Sequence, residues 1–140
     1  PALGRAFSEI LMKIFICNAF SLSMLDGEVQ ARRPGDAVYG SPRIPRLCGG
    51  DGSTSAAFRW LEAAADDFNA EIVSAVGHAD TAALFSALLG REITVNRVSV
   101  KLPGGPDSGV FALIGQLQGP RLPEGATTLP EGATIAWWLV

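Results

Sequence analysis

The most strongly patterned stretch near the start of the chain is Lys13-Ile14-Phe15-Ile16-Cys17, a nearly continuous apolar and β-branched run. Such a run predicts a strand covered on both faces. From Ala56 to Ala70 the period changes: Phe58, Leu61, Ala65 and Phe68 share one face at spacings of three and four, and Glu62, Asp66 and Asp67 point elsewhere, as in an amphipathic helix. A second helix is predicted over Ala82 to Leu89, where Leu84, Phe85, Leu88 and Leu89 repeat with helical spacing and Gly90 supplies the stop. Ile93 to Lys101 is rich in β-branched residues and reads as a strand, with Gly104 to Gly109 as its turn and Val110 to Gln118 as its hairpin partner. Thr134 to Val140 is the last predicted strand. Asp26 to Ser55 carries the weakest pattern, broken by Pro34, Pro42, Pro45 and a glycine run; a short strand over Ala37 to Tyr39 is the one element expected in it.

These elements predict a small α/β domain, a mixed β-sheet flanked by helices, over residues 12–140, with a long loop at about 26–55. Residues 1–11 have weak helical character and no clear partner face, and are expected to form an extension ahead of the domain. The length, 140 residues with 48% hydrophobic and 18% charged, suits one domain with a core and is too short for two. Its apolar runs are interrupted well before the roughly 18 residues that span a bilayer. No secretory leader is recognisable, so no membrane association and a cytoplasmic address are the default expectation.

A formal charge of -3 excludes a general electrostatic attraction to long nucleic acid. It does not exclude a small anion held by local arginines. Cys17 and Cys48 are too few for a disulfide framework and have no metal spacing with the single histidine, so neither a metal nor a cofactor is expected. Cys17, inside its apolar run, is expected in the core.

That single histidine, His78, lies in Ser74-Ala75-Val76-Gly77-His78-Ala79-Asp80-Thr81, just ahead of the second predicted helix. Gly77 is expected to turn the chain tightly and deliver His78, Ala79 and Asp80 to the helix start. There the unpaired N–H groups and the helix dipole favour an anion such as phosphate. An imidazole beside it can move a proton near neutral pH. The alternative is an ordinary turn or capping residue. After the first strand, Asn18, Ser21 and Ser23 offer hydrogen bonds either to a ligand or to local turns. Arg32, Arg33, Arg43 and Arg46 in the long loop read as solvated charge or, alternatively, as a lid over an anionic ligand.

Near the end, Pro123-Glu124-Gly125-Ala126-Thr127 is echoed seven residues later by Pro130-Glu131-Gly132-Ala133-Thr134. Two copies do not make a repeat fold. Only the first follows an arginine, Arg121.

Four segments together resemble the viral anti-CRISPR ring nucleases that act against type III CRISPR signalling, and their bacterial counterparts. They are Asn18-Ala19-Phe20-Ser21, Gly77-His78-Ala79-Asp80-Thr81, Asn96-Arg97 and Arg121-Leu122-Pro123-Glu124-Gly125, in that order. The resemblance implies a two-fold homodimer that binds cyclic tetra-adenylate. It implies metal-independent cleavage to linear di-adenylate with a 2′,3′-cyclic phosphate, formed when a ribose 2′-hydroxyl attacks its own phosphodiester. It further implies catalytic roles for His78 as general acid, Arg121 on the phosphate and Glu124 as an orienting group or ribose acceptor. Asn18, Ser21, Ser23, Thr81, Arg97 and Gln116 become ligand-binding candidates. The same resemblance singles out Glu124 over Glu131, since Thr128 and Leu129 precede the second copy where arginine and leucine belong. Each assignment has an ordinary alternative: Arg97 as a surface residue, Arg121 and Glu124 as a local ion pair, Thr81 as a helix cap. Three departures stand out, the first being an Asp26 to Ser55 loop longer than in the small viral members. Ser23 occupies a position that is asparagine in some relatives, and Asp80 brings a carboxylate beside the phosphate site. Beyond the nuclease, a non-catalytic cyclic oligoadenylate sensor or sponge and a mobile-element interaction module remain open.

Overall fold

The computed structural model describes residues 12–25, 46–48, 52–102 and 108–140. The expected extension over residues 1–11, most of the 26–55 loop with its strand at 37–39, and the centre of the 104–109 turn lie outside the described residues.

Five strands form one mixed sheet: β1, Met12–Cys17; β2, Arg46–Leu47; β3, Ala70–Ser74; β4, Val110–Gln118; and β5, Thr134–Leu139, in the order β2-β5-β4-β1-β3. β1 is central and pairs in parallel with β3 (Ile14 opposite Ile72) and with β4 (Ile14 opposite Phe111). β5 runs antiparallel to both β4 and β2. Two helices, α1 over Thr54–Asp67 and α2 over Ala79–Leu89, connect the parallel strands.

Both helices contribute to one core. Ile14, Ile16, Leu113 and Trp137 from the sheet pack with Ala57, Leu61, Phe85 and Leu89. The opposite sheet face buries Cys17, Ala112, Ile114 and Val140 beneath Leu25, Val100 and Leu102, so irregular chain covers it where the helices do not. Alternation along β1 explains the division: Ile14 and Ile16 face the helices and Cys17 faces the other side. Among the described residues no helix is long and apolar enough to cross a membrane.

Several local expectations are corrected. Ile93–Lys101 is not a strand and does not form a hairpin with Val110–Gln118. It is extended chain that makes one parallel bridge, Val76 to Val95. The reason lies in β4, whose two edges are taken by β1 and β5, leaving no edge for a hairpin. In α1 the buried positions are Ala56, Ala57, Leu61 and Ala64, which share only Leu61 with the expected stripe of Phe58, Leu61, Ala65 and Phe68. The helix ends at Asp67, and Phe68, its C-cap, is 55% exposed. Small alanines let α1 approach the sheet, a packing reason that hydrophobicity alone hides. β3, an edge strand of half-buried residues, carried no alternation from which to predict it.

α2 starts three residues earlier than Ala82 and ends as predicted, with Gly90 at a left-handed φ of 66°. A Cβ at Gly90 would lie 2.9 Å from Phe58 Cε2 as well as straining the backbone. Gly90→Ala is therefore expected to lower stability by about 1–2 kcal/mol, read as a lower urea midpoint at unchanged slope.

Candidate functional site

The parallel strands β1, β3 and β4 end on the same side of the sheet, and there the chain places most of the candidate residues. This is the region where open α/β sheets commonly hold ligands. β1 runs out into Asn18; β3 leads through Ala75 to Gly77 and His78; β4 ends at Gln116 to Gln118 and turns through Gly119 and Pro120 to Arg121.

Three cavities adjoin at this edge. One of about 250 Å³ is lined by His78, Asp80, Thr81 and Arg121 with the apolar Leu117 and Leu122. A second, about 560 Å³, shares Thr81 and Leu117 with it and adds Asn18, Phe20 and Gln116. A third, about 290 Å³, shares Asn18 with the second and includes Ser21, Ser23, Ser99 and Lys101. Shared lining residues set the three side by side along this edge, a row of cavities that makes up the trough. His78, Thr81, Arg121, Asn18, Gln116, Ser21 and Ser23, scattered over the sequence, line it together.

His78 is the N-cap residue of α2, with extended backbone and no side-chain cap hydrogen bond, so its exposed imidazole is not used to cap the helix. The backbone ahead of it is braced from the 94–97 segment. Asn96 donates from its backbone N–H to the Val76 carbonyl at 2.9 Å and from Nδ2 to the Ser74 carbonyl at 2.7 Å. Ser74 Oγ donates to the Thr94 carbonyl. Arg97 Nε donates to the Gly77 carbonyl at 2.9 Å, which places Arg97 behind the histidine turn; it lines none of the three trough cavities. Gly77 is not in the left-handed region. A Cβ there would lie 3.5 Å from Arg97 Cγ, an ordinary contact, so neither an unusual φ nor close packing requires glycine at this position.

Asp80 lies in the first turn of α2, where its charge complements the helix dipole, and it also lines the His78 and Arg121 cavity. Thr81 is 9% exposed. Ser21 and Ser23 hydroxyls are 2.9 Å apart. Among the described residues, no group of three His, Cys, Asp or Glu side chains converges as a metal site would require.

Glu124 is not in the trough. It sits exposed on a turn in which Ala126 N–H donates to the Pro123 carbonyl at 3.2 Å and Gly125 takes a φ of 72°. The second Pro-Glu-Gly copy forms the same turn, with Ala133 N–H donating to the Pro130 carbonyl at 3.0 Å and Gly132 at φ 83°. Glycine at the third position of each suits the positive φ that type II turns require. Their surroundings differ. A Cβ on Gly125 would meet nothing within 4 Å, whereas one on Gly132 would lie 3.7 Å from Pro120 Cγ and one on Gly119 would collide with the Gly132 carbonyl oxygen at 2.6 Å. The second copy thus seats on the Gly119-Pro120 turn that presents Arg121, and the first projects freely.

Ser99 and Lys101 lie in the Ile93 to Lys101 run, whose β-branched residues predict a strand, and only the third cavity gives these polar members a role.

Cys17, beside Asn18, is 2% exposed, and burial pushes its thiol up from 9.0 to about 12. The unfolded thiol ionises first, so the unfolded chain binds fewer protons above pH 9.0, and stability present below that pH is lost as pH rises towards about 12. Urea denaturation at neutral pH and near pH 10 is expected to show this loss in the wild type and a smaller one in Cys17→Ala.

A family model described as STIV B116-like matches residues 52–134. Among solved structures, B116 of Sulfolobus turreted icosahedral virus is similar, with a TM-score of 0.57 and 24% sequence identity over 91% of this chain and 97% of that one. At that identity the likeness shows the fold. No curated protein matches the chain.

Proposed function

We propose that this chain, which belongs to the STIV B116-like family, is a metal-independent ring nuclease that acts on cyclic tetra-adenylate and so ends type III CRISPR signalling. The observation that carries the reading is that His78 and Arg121, 43 positions apart in sequence, line one cavity at the carboxyl ends of the parallel strands, with Asn18, Ser21, Ser23, Thr81 and Gln116 continuing from it. These are seven of the nine residues singled out by the resemblance to ring nucleases; Arg97 and Glu124 line none of the three cavities.

The chemistry asked of them is modest in covalent terms. The ribose 2′-hydroxyl gives its proton to solvent and its oxygen bonds to phosphorus, while the bond from phosphorus to the 5′-oxygen breaks. His78 gives that leaving oxygen a proton, yielding a 5′-hydroxyl and a 2′,3′-cyclic phosphate. Alignment of nucleophile, phosphorus and leaving oxygen supplies much of the rate. Arg121 and the first-turn N–H groups of α2 balance charge on the phosphate oxygens. Arg97, through the Gly77 carbonyl, holds the turn that presents His78. In a two-fold homodimer each group is present twice, and two cuts of a symmetric ring give two linear di-adenylates.

A binding-only sensor or sponge is the second reading, favoured by Glu124 standing outside the trough. Incubation of the purified protein with cyclic tetra-adenylate in excess EDTA, resolved by mass-detected chromatography, separates the two. Linear di-adenylate with a cyclic phosphate is the expected product. An intact ring that binds would point to the sensor, and an intact ring that does not bind would refute both.

A further inference from the structure

The chain has two lysines, and they are used differently. Lys13 pairs with Glu71 at 3.6 Å and lies over the Phe15 ring. Lys101 forms no ion pair among the described residues. Among the described residues its Nζ donates one hydrogen bond, to the Ser23 carbonyl at 2.8 Å, and the exposed residue lines the third cavity. Among the described residues no acidic side chain lines that cavity, whose polar groups beside Lys101 are Asn18, Ser21, Ser23 and Ser99. Hydroxyl and amide donors around a cation suit phosphate oxygens, and Met24, Val98 and Val100 give the same cavity an apolar wall of the kind a base or ribose face can cover.

Position adds to chemistry. The trough has Arg121 and His78, with Asp80, in its first cavity and Lys101 in its third, and among the described residues the middle cavity between them has no charged lining residue. A ligand with one anionic group satisfies one end only. We propose that Lys101 forms a second anion subsite, which takes a phosphodiester of the bound oligonucleotide away from the bond being cut, so that each protomer engages two phosphates separated by a nucleoside. The inference rests on the nuclease reading for the identity of the full ligand; the subsite itself can be tested without it.

The test titrates isotope-labelled protein with 5′-AMP and follows amide shifts. Two saturable sets are expected, one around Asn18, Ser23 and Lys101 and the other around His78, Thr81 and Arg121. Lys101→Ala is expected to remove the first set and leave the second. Lys101→Gln, which keeps a donor for the Ser23 carbonyl but removes the charge, is expected to do the same, and Lys101→Arg to preserve it. If Lys101→Gln binds 5′-AMP like the wild type, or the first set never shifts, the lysine is a structural tether and the subsite is refuted. With cyclic tetra-adenylate, Lys101→Gln is expected to raise KM about tenfold with little change in kcat. A wild type that ignores the ring but shows both 5′-AMP sets would overturn the nuclease reading while upholding the subsite.

Discussion

Replacing His78 by alanine is expected to slow cleavage of cyclic tetra-adenylate by about 10²- to 10⁴-fold, the usual contribution of a positioned general acid. Binding of the ring is expected to survive. The separation follows from the structure around the residue: His78 is exposed, its side chain makes no capping bond, and the turn that presents it is held by Asn96, Ser74 and Arg97 through backbone carbonyls. Removing the imidazole therefore leaves the trough standing. Single-turnover rates with excess protein, beside equilibrium binding of the ring to the variant, make the comparison. Equal rates for wild type and variant would remove His78 from the mechanism. Loss of binding together with rate would make it a ligand contact and not an acid.

Trp137→Ala is expected to cost about 3–5 kcal/mol of stability, the range for truncating a buried large aromatic residue. Trp137 is 0% exposed and its ring packs 4.9 Å from that of Phe85, tying β5 to α2. Its indole N–H donates to Thr54 Oγ1 at 3.0 Å and its backbone N–H to the Gly52 carbonyl at 2.9 Å, fastening the start of α1 to the same strand. Gly115 beneath the pair has no room for a side chain; a Cβ would lie 2.7 Å from both rings. The alanine variant would thus lose packing, a hydrogen bond and the link between two helices at once. Urea denaturation by circular dichroism measures the effect. Trp137→Phe, which keeps an aromatic ring and loses the indole donor with part of the packing, is expected to fall short of it.

Local pattern was sufficient where a segment's own side chains decide its structure. The run Ile14 to Cys17, the helical spacing of Leu84, Phe85, Leu88 and Leu89, and the tryptophan-rich end of the chain all correspond to elements of the fold, because burial on a central strand or a packed helix selects residues at a fixed period. Gly90 ended its helix for an equally local reason, its left-handed φ. Pattern failed where partners decide. Val95, Val98 and Val100 carry strand propensity, yet the edges of β4 are occupied, so they remain extended chain over the sheet. Phe68 looked like core and lies past the end of α1.

The candidate site divides along the same line. The order of residues along the chain determined which side chains were available for chemistry: one histidine ahead of a helix, short polar residues after a strand, an arginine after the longest strand. Tertiary structure alone decided that the parallel pairing of β1 with β3 and β4 brings Asn18, His78, Gln116 and Arg121 to one edge, that Arg97 stands behind His78, and that Lys101 closes the far end of the trough. It also distinguished the two Pro-Glu-Gly turns, one seated on Gly119 and Pro120 and the other free. Short-range sterics and periodic burial are written residue by residue, whereas strand pairing and cavity walls arise from contacts between segments far apart in sequence, to which no local pattern corresponds.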